Sequence, residues 1–335
     1  MPVIYNTVYA LGDNPAYYYT RSGISVSYDS GATWASVDAA PFAIHEGIRT
    51  GDSNFQGWVL LSNAGGGVSN DQSDLVDIWG TPYRFEDPAR QLRDITAASG
   101  ELGWMAVGYQ KDPISLAELA TVVFTNTGVD SSSWQTKWIS TNTHSGLNSI
   151  LVPPFDSWGL AVGYKNGTDP LVIYTQDSGA SWAELPLPST VTGPLFCVTG
   201  NAQEFRIGGV GQIIKGTWNN GNVQWQLSQG LLTQGKAKAI TFIGQNFDIT
   251  QPIQTVALSG SSVFYSANGF DYQSITQPGY TFNTGVYVAA RWIFGCTSLL
   301  NQYTGFYGSF EYTPDPRLVL TGFNNQVHTY KFLVR

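Results

Sequence analysis

Residues 146–187, GLNSILVPPFDSWGLAVGYKNGTDPLVIYTQDSGASWAELPL, contain four short apolar or alternating runs. The runs are separated by Gly, Pro, Asn and Asp, which interrupt strands and favour turns. Strands joined by such short connections pair with their sequence neighbours in antiparallel order. The segment therefore predicts one four-stranded antiparallel sheet in about 45 residues.

The same four-run unit recurs along the chain. The Ala-Val-Gly-Tyr of the second run, at 161–164, is repeated in the preceding unit at 106–109. Seven units of about 48 residues account for the 335 residues, which is the size of β-propeller blades. The expected blades within a single domain, 1–335, are 1–38 with 327–335, 41–90, 92–140, 146–187, 194–229, 236–276 and 280–322.

The two ends of the chain share one unit in this scheme. Only three runs precede residue 38, while the run at 327–335 has no unit of its own. We therefore expect the C-terminal strand to complete the first blade and close the ring, because closure removes the open edges of a linear stack of sheets. In the second unit, strands are predicted at 43–50, 57–63, 75–82 and 83–91, and a single helical turn is predicted at 115–121.

The composition agrees with an all-β class and excludes several functions. Aromatic residues make up 14% of the chain and charged residues 12%, whereas disordered chains have few aromatics and many charges. The net charge of −8 and the absence of a basic run exclude nucleic-acid binding. No apolar run is long enough for membrane insertion, and the N-terminus lacks the pattern of a secretory signal, so synthesis in the cytoplasm is expected.

No metal or cofactor is predicted. Cys197 and Cys296 each lie in an apolar run and are expected to be buried free thiols. The histidines at 45, 144 and 328 are isolated from one another and have no metal-ligand spacing. The glycine clusters at 65–67 and 208–211 do not precede a helix, so neither is a phosphate-binding loop.

One short phrase recurs in five of the seven units, at the predicted turn between the third and fourth strands; two copies are complete, and degenerate copies begin at 125, 217 and 266. SYDSGATW occupies 27–34, TQDSGASW occupies 175–182, and a weaker copy with Asn in place of Asp begins at 266. An Asp or Asn side chain can accept hydrogen bonds from turn N–H groups, and Gly tolerates a positive φ. The residues of the pattern are Ser27, Asp29, Gly31, Thr33, Trp34, Thr175, Asp177, Gly179, Ser181, Trp182, Ser266, Asn268 and Gly269.

This phrase resembles the Asp-box, or BNR, repeat of sialidases, sortilin-type receptors, photosystem II assembly factors and various phage proteins. The resemblance implies a β-propeller and places the phrase in structural turns away from any active site. The sequence therefore predicts a structural role for the Asp-box residues and does not predict a catalytic one.

The resemblance also raises the alternative of a sialidase-type glycoside hydrolase. Such an enzyme needs three arginines around the substrate carboxylate, a Tyr–Glu nucleophile pair and an acid/base Asp. Phe205-Arg206-Ile207-Gly208 echoes the family's Phe-Arg-Ile-Pro signature but lies in the fifth unit and lacks the Pro. The sequence also offers a polar cluster at the central channel that a propeller encloses, formed by Glu46, Arg49, Arg93, Asp94 and Arg291. We expect these residues to pair with one another, because buried charges need partners.

The favoured interpretation is a non-enzymatic structural or adhesion propeller of a bacteriophage virion, from a tail, fibre or head. It rests on scarce lysine and methionine, abundant Tyr, Trp, Asn and Gln, and Asp boxes without a catalytic set. Expected partners are other virion proteins or a host-surface glycan; a homo-oligomer and an assembly factor like the photosystem II propellers stay open. The predicted contact face carries the loops between second and third strands, at 62–74, 110–119 and 299–305.

Overall fold

The apolar and alternating runs form β-strands in the computed structural model. The structure describes residues 7–13, 22–31, 33–37, 50–54, 57–61, 66–69, 89–98, 103–126, 133–153, 156–219, 222–228, 239–245, 254–288, 291–298, 305–311, 317–325 and 328–334. Its strands form seven antiparallel sheets within these residues, six of four strands and one of three. The expected all-β class with four-stranded antiparallel sheets is confirmed, while the number of blades and their boundaries stay predictions.

The strands are, in chain order, β1 (Val8–Asp13), β2 (Ser22–Ser27), β3 (Ala35–Val37), β4 (Thr50–Asn54), β5 (Gly57–Leu61), β6 (Gly66–Ser69), β7 (Arg90–Ala97), β8 (Trp104–Lys111), β9 (Glu118–Thr125), β10 (Gln135–Ile139), β11 (Gly146–Leu151), β12 (Gly159–Lys165), β13 (Asp169–Thr175), β14 (Ala183–Glu184), β15 (Leu195–Gly200), β16 (Glu204–Gly209), β17 (Ile213–Asn219), β18 (Asn222–Leu227), β19 (Phe242–Gln245), β20 (Thr255–Ser259), β21 (Ser262–Ser266), β22 (Gln273–Thr276), β23 (Tyr280–Val288), β24 (Arg291–Ser298), β25 (Gly305–Glu311), β26 (Arg317–Asn325) and β27 (His328–Val334).

Contacts divide the chain into two compact units. The terminal unit is Met1–Arg49 with Thr241–Arg335, and the central unit is Thr50–Ile240. The central unit contains the sheets β4-β5-β6, β7-β8-β9-β10, β11-β12-β13-β14 and β15-β16-β17-β18. The terminal unit contains β27-β1-β2-β3, β19-β20-β21-β22 and β23-β24-β25-β26.

The C-terminal strand lies where the repeat scheme requires it. β27 pairs antiparallel with β1, with Val8 opposite Val334 and Asp13 opposite His328. It is therefore the first strand of the sheet that β1, β2 and β3 continue. The terminal unit is held together by a pairing between opposite ends of the chain.

One loop prediction was wrong. β6 lies inside the stretch 62–74 that was predicted to be a loop, with Gly66 opposite Leu61 and Gly67 opposite Leu60. The glycines were taken as a loop signal, although glycine also occurs within strands, which it weakens but does not exclude. β4 begins at Thr50, where the predicted first strand was to end. The predicted strand at 75–82 and residues 83–88 of the one at 83–91 lie outside the described residues, and Arg90 and Gln91 begin β7 instead.

The expected helical turn at 115–121 was also wrong. β9 begins at Glu118, and Lys111 pairs with it, so the connection from β8 is the short turn 112–117. Val122 and Val123 follow in the same strand, and β-branched residues favour extended backbone over helix. The third predicted loop, 299–305, lies outside the described residues except for its last residue, where β25 begins.

Hydrophobic cores lie between facing sheets. In the central unit, one core joins Met105 and Val122 of the sheet β7–β10 to Leu147 and Ile173 of the sheet β11–β14. A second core joins the sheet β11–β14 to the sheet β15–β18 through their apolar inner residues. The sheet β11–β14 is thus covered on both faces, which is why β12 is a continuous apolar run and not an alternating one.

Both cysteines are buried free thiols, as expected. Cys197 lies on β15, and its Sγ donates to the carbonyl oxygen of Ile240 at 3.3 Å. Burial raises the pKa of the Cys197 thiol well above its ordinary value, so the thiol stays protonated and unreactive. Cys296 belongs to the core between the sheets β19–β22 and β23–β26.

Candidate functional site

A β-bulge recurs in the first strand of five sheets among the described residues. Each bulge adds one residue that has no partner on the second strand, and it changes the direction in which that residue points. The extra residues are Arg93, Asn148, Phe196, Asn283 and Tyr330. In each of these five sheets, one residue of the first strand therefore occupies a bulge.

Glycine is required opposite two of these bulges. A Cβ on Gly108 would meet the carbonyl oxygen of Gln91, and a Cβ on Gly163 would meet the carbonyl oxygen of Gly146. The first strand passes too close to the second at these points for any larger residue. This is the physical reason for the repeated Ala-Val-Gly-Tyr.

Arg93 occupies the bulge of β7 and reaches the neighbouring sheet. Its Nη1 donates to Oδ1 of Asn148, the bulge residue of β11, at 2.6 Å. Its guanidinium carbon lies 5.2 Å from the ring centre of Tyr109 and 5.5 Å from that of Tyr164. These are the two tyrosines of the repeated Ala-Val-Gly-Tyr, and together they hold the cation by cation–π contacts.

The cluster around Arg93 continues through two further polar groups. The Tyr164 hydroxyl lies 3.4 Å from Arg93 Nη2 and donates to Glu118 Oε2 at 3.3 Å. Burial raises the pKa of Tyr109, and the charge of Glu118 raises it further, while the charge of Arg93 opposes this. We call Arg93, Tyr109, Glu118, Asn148 and Tyr164 the arginine cluster; all five side chains are partly exposed.

Asp94 points to different partners from its neighbour. Its Oδ2 accepts hydrogen bonds from the Ser149 hydroxyl and the Ile150 N–H, both at 3.0 Å, and its Oδ1 accepts one from the Ile95 N–H. The carboxylate therefore bridges β7 to β11. The structure brings Arg93 and Asp94 to adjacent positions on β7 but gives them separate contacts.

The remaining members of the predicted channel cluster cannot be placed with these two. Glu46 and Arg49 lie outside the described residues, and Arg291 is described only as the first residue of β24. The three partners of Arg93 that were not predicted are Tyr109, Asn148 and Tyr164. The repeated tyrosines were visible in the sequence, but their role depends on a bulge that leaves no clear local signal.

The turn 112–117 stands at the same end of the sheet as the arginine cluster. Asp112 Oδ1 accepts hydrogen bonds from the N–H groups of Ile114 and Ser115 and from the Ser115 hydroxyl, at 2.7–3.0 Å. These bonds lower the pKa of Asp112, the Ser115 N–H contributing most. The Leu116 N–H donates to the carbonyl oxygen of Asp112 at 2.9 Å, so the turn is fixed by its own hydrogen bonds.

This turn exposes two large aliphatic side chains. Ile114 is 92% exposed and Leu116 is 69% exposed. Leu116 has a φ of +59°, a left-handed conformation that is unfavourable for a leucine. The turn therefore holds apolar surface in water at a conformational cost.

We call the turns 27–34 and 175–182 the aspartate turns. They join the third and fourth strands of their sheets and so lie at the end opposite to that of a turn between second and third strands, such as 112–117. In the turn 27–34, Asp29 accepts from the Ser27 hydroxyl at 2.8 Å, from the Thr33 N–H at 2.8 Å and from the Thr33 hydroxyl at 2.6 Å. The Gly31 N–H donates to Ser27 Oγ at 2.7 Å, and Trp34 Nε1 donates to the Gly31 carbonyl at 3.2 Å. All these contacts are internal to the turn.

The turn 175–182 repeats this network. Asp177 accepts from the Thr175 hydroxyl at 2.8 Å, from the Ser181 N–H at 2.8 Å and from the Ser181 hydroxyl at 2.5 Å. The Gly179 N–H donates to Thr175 Oγ1, and Trp182 Nε1 donates to the Gly179 carbonyl. A Cβ on Gly179 would meet the Met105 side chain of the adjacent sheet, so the turn also contacts its neighbour.

The asparagine copy keeps part of the network. Asn268 Oδ1 accepts from the Ser266 hydroxyl at 3.0 Å and from the N–H groups of Phe270 and Asp271 at 2.9 Å. Gly269 has a φ of +69°. In all three turns the Asp or Asn side chain accepts hydrogen bonds from N–H groups of its own turn, and the structural role of these residues stays a prediction.

No group of three or more His, Cys, Asp or Glu side chains in the described residues is arranged to hold a metal ion. The same part of the chain contains no helix long and apolar enough to cross a bilayer.

Four-stranded antiparallel sheets packed face to face, with the C-terminal strand in the first of them, define a β-propeller. No protein-family model matches the chain, and no curated protein matches its sequence. Solved structures do resemble it. A candidate 6-phosphogluconolactonase from Bacteroides uniformis has a TM-score of 0.64 at 9% identity, over 98% of both chains.

Two further similar structures have lower TM-scores. YCF48 from Cyanidioschyzon merolae has a TM-score of 0.56 at 11% identity, covering 88% of this chain and 94% of that one. Sqt1 from Chaetomium thermophilum, bound to the N-terminus of ribosomal protein L10, has a TM-score of 0.56 at 12% identity, covering 94% and 87%. At these identities the likeness shows the β-propeller fold and nothing finer.

Proposed function

We propose that this chain is a non-catalytic β-propeller that docks a protein partner through the sheet end carrying the turn 112–117. The observation that carries the proposal is the exposure of Ile114 and Leu116, at 92% and 69%. Apolar side chains fixed in water at the tip of a rigid turn gain free energy when a partner covers them. Leu116 also has a left-handed backbone conformation, which is unfavourable for leucine, so the exposed turn is held at a cost in conformational energy.

The arginine cluster supplies a polar rim to the same sheet end. Tyr109 and Glu118 stand in the last residues of β8 and the first of β9, next to the turn. Interface rims are polar, and Arg and Tyr are enriched in protein interfaces, where they combine apolar area with hydrogen-bonding ends. Two proteins of similar fold are bound to a peptide or a protein segment: one YCF48 structure holds a D1 peptide, and Sqt1 holds the L10 N-terminus.

Site-specific photo-crosslinking tests this proposal. A photoreactive amino acid at position 114 should capture a discrete partner in native extract. The matched control is position 28, because Tyr28 is also a large exposed side chain, at 57%, but lies in an aspartate turn. Capture at 28 and not at 114, or at neither position, would contradict the proposal.

A charge-introducing pair of variants gives a second measure. Ile114→Asp with Leu116→Asp should weaken the captured complex at least tenfold, because two charges would be placed against apolar surface. Tyr28→Asp should leave the affinity unchanged. Circular dichroism and unfolding curves should show all three proteins folded.

The setting proposed for the partner is a bacteriophage particle, with the propeller as a rigid docking module of tail, fibre or head. Support comes from composition alone, since the chain has two methionines, seven lysines and 46 aromatic residues. Peptide mass spectrometry of purified particles should find the chain at a fixed stoichiometry. Its consistent absence from particles, or a genomic neighbourhood of polysaccharide-degrading enzymes, would argue for another setting.

A second candidate function is glycoside hydrolysis, favoured by one specific contact. Tyr164 donates to Glu118 beside the Arg93 guanidinium, and a Tyr–Glu pair next to an arginine is a combination of residue types that a sialidase uses. Arg93 is the one arginine that contacts this pair within the described residues, whereas a sialidase needs three. Fluorogenic sialosides and β-glucosides test it: turnover lost in both Tyr164→Phe and Arg93→Ala would favour the enzyme, and no turnover would exclude it for these substrates.

A further inference from the structure

Arg206 is a buried arginine on β16 in the central unit. It lies opposite Thr199 of β15 and Lys215 of β17, and it is 3% exposed. Its strand neighbours Phe205 and Ile207 belong to the core shared with the sheet β11–β14. Because side chains alternate along a strand, Arg206 points to the other face of its sheet.

One carboxylate serves two cations at this place. Arg206 Nη2 lies 2.6 Å from Glu204 Oε1, and Lys215 Nζ lies 2.5 Å from Glu204 Oε2. Burial raises the pKa of Glu204, but the hydrogen bond and charge of Lys215 and the charge of Arg206 together lower it below its ordinary value. With Glu204 ionised, the three side chains carry a net charge of about +1.

Two of the three guanidinium nitrogens of Arg206 have no acceptor in the part of the chain that the structure describes. Nε and Nη1 of Arg206 are buried and form no hydrogen bond with the residues that the structure describes. An unpaired donor is costly when it is buried, and more so when it belongs to a charged group. The excess positive charge and the unused donors point the same way, toward a missing acceptor that is negatively charged.

We infer that Arg206 holds a small monovalent anion, of the size of chloride or formate, beside the Glu204–Lys215 pair. A single negative charge matches the net charge of the three side chains. The Arg206 side chain is 4% exposed, whereas Lys215 and Glu204, at 23% and 31%, reach the solvent from which a small anion would enter.

Direct observation of the anion tests the inference on the unaltered protein. Crystals grown without chloride and soaked in bromide should show an anomalous peak at hydrogen-bond distance from Nε or Nη1 of Arg206. Soaking with excess formate should remove the peak if the site prefers a carboxylate, and should leave it if the site prefers a halide. An ordered water at this position in both the bromide and the formate soaks, with no anion in either, would overturn the inference.

Stability in different salts gives an independent test in solution. Replacing gluconate by chloride at constant ionic strength should raise the Tm of the native protein by roughly 2 °C per tenfold rise in chloride, once the site is filled. Arg206→Met should abolish this dependence while keeping the Glu204–Lys215 pair. Arg90→Met is the matched control, because Arg90 is a partly exposed arginine bonded to Gln110 and the Trp134 carbonyl.

The outcomes separate cleanly. A chloride dependence that persists in Arg206→Met, or that is lost equally in Arg90→Met, would overturn the inference. If Arg206→Met fails to fold, the crystallographic experiment on the native chain still decides.

Discussion

At the residue scale, the glycines of the aspartate turns meet two requirements at once. Gly31 and Gly179 have φ values of +85° and +87°, and a Cβ at either position would overlap a side chain of the adjacent sheet. The partners are Ile293 and Met105. The turn is therefore a contact between sheets as well as a hairpin connection.

Gly179→Ala should separate these two requirements when it is compared with Gly167→Ala. Gly167 has a similar φ of +84° but no atom within 4 Å of a Cβ. We expect a loss of about 1 kcal/mol in the free energy of unfolding for Gly167→Ala, and about 2–4 kcal/mol for Gly179→Ala, because overlap with Met105 adds to the strain. Urea unfolding measures both, and equal losses would show that the contact with Met105 is unimportant.

Asp177 should contribute a pH-dependent part of the stability. Hydrogen bonds from Ser181 lower its pKa below the ordinary value. A carboxyl with a lowered pKa in the folded state stabilises the protein above its unfolded-state pKa, and this contribution disappears as the pH falls through the lower folded value. The effect is modest because the turn is exposed and screened.

The comparison that tests this is wild type against Asp177→Asn, by urea unfolding from about pH 5 to about pH 2. The wild type should be the more stable at the higher pH, and its advantage should shrink as the pH falls. Other carboxyls titrate in both proteins and cancel in the difference. An advantage independent of pH would mean that the carboxylate charge is not what stabilises the turn.

At the element scale, the bulges explain what the sequence could and could not predict. The Ala-Val-Gly-Tyr repeat correctly located β8 and β12, because apolar runs bounded by turn residues are strong local signals. The contact of Arg93 with Asn148 was not predictable, since a bulge redirects a side chain without changing the run that contains it. The same limit applies to Arg206, whose missing acceptors depend on packing from distant strands.

The turn 112–117 offers a prediction about strain. Leu116→Asn should raise the free energy of unfolding by about 0.5–1 kcal/mol, because Asn tolerates a left-handed φ and Leu does not. Ile114→Asn is the matched control in the same turn, since Ile114 is equally apolar, more exposed, and not in a left-handed conformation. Thermal and urea unfolding should show a gain for position 116 alone; a gain at both would reflect lost apolar exposure and not relief of strain.

At the scale of the whole molecule, the pairing of β27 with β1 should control the stability of the terminal unit. Removing residues 326–335 leaves one edge of β1 unpaired, and an open edge favours association with other chains. We expect the truncated protein to lose cooperative unfolding and to aggregate at concentrations where the full chain stays dispersed. Sedimentation velocity and urea unfolding check this, and a monodisperse, cooperatively unfolding truncation would contradict it.

The global architecture was more predictable than the contact surface. Seven repeat units with a spare strand at the end were enough to place β27 beside β1, because counting strands requires no knowledge of side-chain contacts. The loop predicted at 62–74 was wrong, because it contains β6 and glycine-rich segments occur both in loops and in strands. The connection between β8 and β9 was correctly predicted to lie within 110–119, but the exposure of Ile114 and Leu116 was not predicted, since a helical turn was assigned to 115–121.

The pairing of β1 with β27 also determines when the first sheet can be completed during synthesis. Because about 315 residues separate Asp13 from His328, a ribosome adding roughly 5–20 residues per second makes β27 on the order of 15–60 s after β1. All strands of the central unit are made within that interval, before β27. Until β27 is made, β1 is therefore unpaired along one edge. This edge is where we expect a chaperone to protect the nascent chain from association with other chains.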